Sequence, residues 1–155
     1  EGYRYHFTGL HHDAKGFPTE EIETCRKLIA RLFDKVDNHL DEIELNEEFM
    51  MEDADICIIG YGSAALAVKE AVMRLREQGI KAGMFRPITI WPSPEKRMYE
   101  IGQQFKNVLS VELNMGQYLD EIQRCTGRLD IEKLIKVNGR PFSPQDIIDK
   151  VKEVF

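Results

Sequence analysis

Asp55-Ile56-Cys57-Ile58-Ile59-Gly60-Tyr61-Gly62-Ser63-Ala64-Ala65 decides the fold. Four apolar residues in a row, bounded by an acid and a glycine, read as a strand over residues 55–60. Two glycines then turn the chain into a helix over residues 63–78, with Ala64, Ala67, Val68, Ala71, Val72 and Leu75 on one face and Gly79 as its stop. A strand that is apolar on both sides needs cover on both faces, which is the condition of a parallel sheet between helices.

The pattern repeats toward the C-terminus. A second strand is expected over residues 80–86. A helix follows it, with Ser93 as its cap and Pro94 at its first position. A third strand over 108–113 leads into a helix that Asn114 would cap, with Gln117 placed to close a capping box. A fourth strand lies over 134–137, and Ser143-Pro144-Gln145-Asp146 opens a last helix with the face Ile147, Ile148, Val151 and Val154. Residues 43–51 supply one further edge strand. Strands alternating with helices of this length give βαβ units and a mostly parallel five-stranded sheet in an α/β fold.

Upstream the character changes. Gly2, Gly9, Gly16 and Pro18 break any period over residues 1–20. A long helix is expected over 20–44, where Ile22, Cys25, Leu28, Ile29, Leu32, Phe33, Val36, Leu40 and Ile43 recur at intervals of three and four. Its length and charge are unlike a crossover helix. Residues 1–44 are therefore read as an arm with a linker helix, and 45–155 as the α/β domain. The stripe on the helix needs something to pack on.

Composition limits the function classes. At 155 residues, 43% hydrophobic and 31% charged, the chain suits one domain with a real core. A net charge of −6 disfavours nucleic acid, whose phosphates call for a basic face. No apolar run reaches the length of a membrane span and no signal peptide opens the sequence, so a cytoplasmic location without membrane contact is expected. Glu1 is not Met, as in a piece of something longer. The three cysteines, Cys25, Cys57 and Cys125, are widely spaced and form no Cys-x-x-Cys, so no iron–sulfur or zinc site arises by the usual spacing.

Gly60-Tyr61-Gly62-Ser63-Ala64-Ala65 also matches the G-x-G-x-x-G/A dinucleotide fingerprint after a strand. The acid that would hold the ribose is missing, because the next strand ends Phe85-Arg86-Pro87. Arg86 leaves a self-contained NADP-type domain open, built on Gly60, Gly62, Ala65 and Arg86. Close strand–helix packing explains the same small residues. His11-His12-Asp13 contains metal-ligand types, but neighbours in an extended segment point to opposite sides, so no metal is expected. His6 and His39 carry less signal still. Glu112, ending a strand, reads either as a base or as an acceptor for loop amides. The carboxyl ends of the strands share one edge, where ligands or partners sit. This edge collects Gly60 to Ser63, Arg86 to Ser93, Glu112 to Gln117 and Asn138 to Arg140, with Trp91 as an obvious interface anchor.

Tyr61-Gly62-Ser63, Arg86-Pro87-Ile88-Thr89-Ile90-Trp91-Pro92 and Glu112-Leu113-Asn114-Met115-Gly116-Gln117 resemble the α subunits of 2-oxoacid:ferredoxin oxidoreductases, the 2-oxoglutarate branch most of all. Thr8-Gly9-Leu10-His11-His12-Asp13-Ala14-Lys15-Gly16 is similar to the segment after that family's first domain. Gly139-Arg140-Pro141 agrees as well, so the resemblance runs through nearly the whole chain. It implies a three-layer α/β/α domain of the transketolase C-terminal type, with one antiparallel edge strand. It implies an enzyme complex that oxidatively decarboxylates a 2-oxoacid with coenzyme A, using thiamine diphosphate and Mg²⁺, and passes electrons through iron–sulfur clusters to ferredoxin. This domain is expected to bind none of those cofactors and to be inactive alone. Its role would be assembly through the edge residues Gly60, Tyr61, Gly62, Ser63, Arg86, Pro87, Trp91, Pro92, Glu112, Asn114, Met115, Gly116 and Gln117. Gly9, Leu10, His12, Asp13 and Gly16 would form the linker motif.

Overall fold

The computed structural model describes residue 2 and residues 9–155; His6 and Thr8 lie outside the described residues. The chain divides into two compact units, Glu1–Ile43 and Glu44–Phe155.

In the first unit, α1 spans Ile22–Asp37 and α2 spans Leu40–Ile43. The Glu21 carboxylate caps α1 by accepting from the amides of Glu23 and Thr24. The helix expected over 20–44 is thus interrupted. Asn38 and His39 turn out of it, their amides bonding back to the carbonyls of Asp34 and Val36. Asp37 and Asn38 favour such turns because their side chains compete for backbone groups. No residue of α1 is buried; Ile22, Ile29, Leu32 and Phe33 are all exposed.

The second unit is a five-stranded sheet between two helical layers. Its strands are β1 (Asn46–Phe49), β2 (Ile56–Gly60), β3 (Ala82–Pro87), β4 (Asn107–Glu112) and β5 (Glu132–Ile135), in the order β1-β3-β2-β4-β5. Four strands are parallel, and β1 pairs antiparallel with β3, setting Glu47 opposite Arg86. The helices are α3 (Ala64–Glu77), α4 (Glu95–Gln104), α5 (Gln117–Thr126) and α6 (Pro144–Val154). The expected α/β architecture with one antiparallel edge strand is the one found, with element ends displaced by up to three residues.

Strand alternation divides the core in two. Ile56 and Ile58 of β2, Met84 of β3, and Leu109 and Val111 of β4 face α3 and α6. Cys57 and Ile59, Phe85, and Val108 face α4 and α5, with Met98, Ile101, Tyr118 and Ile122. Cys57 is fully buried among these apolar groups, which push its thiol well above the ordinary range.

Two of the three expected caps differ. Ser143 and Asp146 form the capping box of α6, each side chain bonding the other's backbone amide. Ser93 does not cap α4: its buried hydroxyl donates to the carbonyl of Ile90, and Pro94 takes the cap position. Nor does Asn114 cap α5. Gly116, at φ 90°, occupies that place, a left-handed conformation that glycine adopts without strain. Asn114 Oδ1 accepts from Gly116 N–H at 2.6 Å, and Gln117 Oε1 from Met115 N–H at 2.9 Å, so both amides stabilise the loop rather than the helix.

Candidate functional site

The ends of β2 and β4 and the start of α5 meet at Glu112. It lies on the same face of β4 as Val108 and Ser110 and is 2% exposed. Its two oxygens accept three hydrogen bonds: Ser110 Oγ at 3.1 Å, Tyr61 Oη at 3.2 Å and Tyr118 N–H at 3.0 Å. A sixth-residue contact thus supplies α5 with the cap that Asn114 does not, and a carboxylate at a helix N-terminus is favourably placed. Asn114 Nδ2 donates to Tyr61 Oη at 2.6 Å. The Tyr61 and Tyr118 rings meet edge to face with centroids 5.0 Å apart, and Tyr118 Oη reaches Ser93 Oγ at 3.3 Å. Burial first, and for Tyr61 also the Glu112 charge, pushes both phenols up to about 12. Three loops are tied to one buried acid. Its oxygens have partners within the fold, so Glu112 serves the scaffold as an acceptor.

The remaining edge residues fall into two groups. Trp91 is 73% exposed and Met115 72%, and Ile88 and Ile90 are exposed beside Trp91 in sequence. Pro92 is half-buried and Pro87 buried, while Gln117 is exposed. Arg86 belongs elsewhere. It shares a β3 face with Met84, toward α3, and its Nη1 donates to Glu47 Oε2 at 3.1 Å across the β1–β3 pair. Lys69 Nζ of α3 contacts the other Glu47 oxygen at 2.5 Å and lies 4.8 Å above the Phe49 ring. The sequence alone does not reveal that Arg86 and Trp91 sit in different surroundings, because the sheet face decides it.

This arrangement also bears on the dinucleotide reading. A Cβ on Gly60 would come within 2.8 Å of Val68 Cγ2, so this glycine is required by the packing of β2 on α3. Gly62 has φ 54° and open space around it, and Ser63 makes no side-chain cap bond. Arg86, the residue needed for a 2′-phosphate, is already paired.

In the first unit, the linker motif forms a tight turn. Asp13 Oδ1 accepts from the amides of Lys15 at 2.8 Å and Phe17 at 3.0 Å, and Gly16 turns at φ 87°. The Phe17 amide bond, with help from Lys15, lowers the Asp13 carboxyl below its usual value. His12 Nδ1 lies 3.0 Å from its neighbour's carbonyl, and Leu10 is exposed. The motif is held by its own backbone. Among the described residues, Glu95, Glu121 and Cys125 bring ligand atoms within 4.8 Å of one another. The Arg124 guanidinium occupies that cluster, bonding Glu95 at 2.5 Å and Glu121 at 2.7 Å, and holds the Glu121 carboxyl at about 2. The sequence reading missed this ion-pair cluster, which joins α4 to α5 across 29 residues.

A doubly covered, mostly parallel α/β domain with a closed acid network at its strand ends is the class of protein defined so far. Residues 54–147 match the family described as pyruvate:ferredoxin oxidoreductase core domain II. Over 153 residues the chain is 38% identical to the 2-oxoglutarate synthase subunit KorA of Methanothermobacter marburgensis, covering 97% of this chain and 41% of that protein. The corresponding subunit of Methanocaldococcus jannaschii is 36% identical over 95% of this chain and 40% of its own length. A solved structure of 2-oxoglutarate:ferredoxin oxidoreductase from Magnetococcus marinus, with 2-oxoglutarate, coenzyme A and succinyl-CoA bound, superposes with a TM-score of 0.82 at 29% identity, covering 97% of this chain and 26% of that one. The chain belongs to the pyruvate:ferredoxin oxidoreductase core domain II family. It spans about two fifths of the length of the curated relatives it matches.

Proposed function

We propose that this chain is an assembly domain of the α subunit of a 2-oxoacid:ferredoxin oxidoreductase acting on 2-oxoglutarate, and that its strand-end edge packs against the thiamine-binding domains. The two archaeal relatives are named for 2-oxoglutarate, which supports that oxoacid. The observation that carries the interface is the exposure of Trp91 and Met115 on loops anchored by buried Glu112, Tyr118 and Ser93. Large apolar side chains held in water on a fixed frame are the usual anchors of a protein contact.

The described residues do not fit the cofactors of such a complex. The Glu112 oxygens already have internal partners, and the Glu95–Glu121 pair is filled by Arg124, so neither offers an open seat for a Mg²⁺-diphosphate. A four-iron cluster takes four thiolates, and the chain has three cysteines. Thiamine diphosphate, Mg²⁺ and the clusters are accordingly assigned to other parts of the complex, with coenzyme A and ferredoxin as partners at the level of the whole complex. The chain alone should be inactive, and its place is in the cytoplasm with the rest of the enzyme.

The test is Trp91→Ala in the holoenzyme. Because the ring is largely solvated, the domain's own stability should change by no more than about 0.5 kcal/mol. Subunit association measured by sedimentation, and turnover, should fall together. Normal assembly and turnover of this variant would remove the edge from the interface.

A further inference from the structure

The turn at residues 12–15 and one face of α1 border an open surface groove of about 460 Å³. His12, Lys15, Thr24, Lys27, Leu28 and Arg31 line it. Thr24, Lys27, Leu28 and Arg31 follow one another at helical spacing, so they share a face of α1. The exposed residues Ile22, Ile29 and Phe33 lie on the other side of the same helix.

The charge in this groove is held by no salt bridge of the described residues, and Lys15 and Lys27 act on Asp13 and Glu21 only through space. Among the described residues, Lys15, Lys27 and Arg31 form no salt bridge, whereas Arg26, on the same helix, pairs with Glu23 at 3.2 Å. Among the described residues, Asp13 is the one acid in the lining. Its carboxylate is turned back onto the amides of Lys15 and Phe17, which fixes the turn and leaves the lining with three cations to one acid. In a chain of net charge −6, three unpaired cations around one concavity run against the overall balance. Leu28 and Ala14 add apolar surface, and Thr24 a hydroxyl.

We propose that this groove binds a phosphorylated organic anion of nucleotide size. Lysine ammonium groups serve phosphate as point charges, and the arginine fork bonds two of its oxygens at once. The volume falls in the range of small-molecule sites, and Leu28 and Ala14 suit the organic portion. The strand-end interface is a separate matter, since that edge lies in the other unit and is read by assembly, whereas this groove is read by binding to the 155-residue chain itself.

The experiment titrates the chain with inorganic pyrophosphate and with ATP, followed by calorimetry and by amide chemical shifts. Both probes should bind, ATP more tightly, with shifts concentrated at residues 12–15 and 24–31. Raising salt from about 50 mM to about 200 mM should weaken binding several-fold. Lys27→Gln with Arg31→Gln should weaken it at least about tenfold. Lys15→Gln, which leaves α1 untouched, should also weaken it, while Lys133→Gln, at the exposed position of β5, should not. Circular dichroism checks that helix content is kept. No binding of either probe, equal affinity for pyrophosphate and ATP, or loss of the same size in Lys133→Gln would each overturn the proposal.

Discussion

Glu112 shows how much one side chain decides. It ends a strand, caps the next helix and fixes a tyrosine from another loop, all without solvent. Replacing it with alanine removes the acceptor for three donors: the Tyr118 amide, the Tyr61 phenol and the Ser110 hydroxyl. Leaving buried donors unpaired costs about 1–3 kcal/mol each, partly relieved where water reaches the phenol. Glu112→Ala should therefore lower stability by about 3 kcal/mol in urea unfolding. A loss below about 0.5 kcal/mol would mean that the network contributes little to the fold. Local reading of the sequence offered a base or an amide acceptor at this position. The residues it would bond, 51 positions upstream and six downstream, were beyond local reading.

At the level of elements, the α4–α5 contact depends on the absence of a side chain. A Cβ on Gly102 would sit 2.6 Å from the carbonyl oxygen of Thr126 and 2.8 Å from its Cβ. Both obstacles belong to the backbone or its first atom, so they yield only if a helix shifts. Thr126 is itself fixed, its hydroxyl donating to the Ile122 carbonyl at 2.7 Å. Gly102→Ala would gain helix propensity of about 1 kcal/mol if nothing else changed. Overpacking should outweigh this and give a net loss of about 2 kcal/mol, visible as a lower urea midpoint with an unchanged slope. A stabilised variant would show that α4 can slide along α5. In the sequence Gly102 looks like a weak point within a helix, because its reason lies on a neighbouring element.

On the scale of the whole molecule, the core belongs to one unit. Every buried hydrophobic residue among those described lies at or beyond Met51, and α1 has none. Stability from burial should therefore reside in residues 44–155. Removing residues 1–43 should leave the urea midpoint nearly unchanged and reduce the unfolding slope by less than the fraction of chain removed, since that slope follows the surface exposed on unfolding. A large drop in midpoint would mean that the first unit contributes to the core's stability.

The sequence by itself determined the sheet domain. Apolar runs such as Ile56 to Ile59, the helix face from Ala64 to Leu75, and the Ser143-Pro144-Gln145-Asp146 start signal act over a few residues, and local sterics and burial read them directly. The edge strand near residues 46–49 and the match of the strand-end motifs to an enzyme family were legible for the same reason: they are contiguous stretches. Only the tertiary structure decided what each polar residue is for. It placed Arg86 with Glu47 and Lys69 on one face of the sheet, and Glu112 with Tyr61 and Tyr118 on the other. It left Trp91 in solvent and gathered Lys15, Lys27 and Arg31 around one open groove. Hydrogen bonds and charges act over a few ångströms of space, and the chain sets that proximity only when distant strands and loops have been brought together.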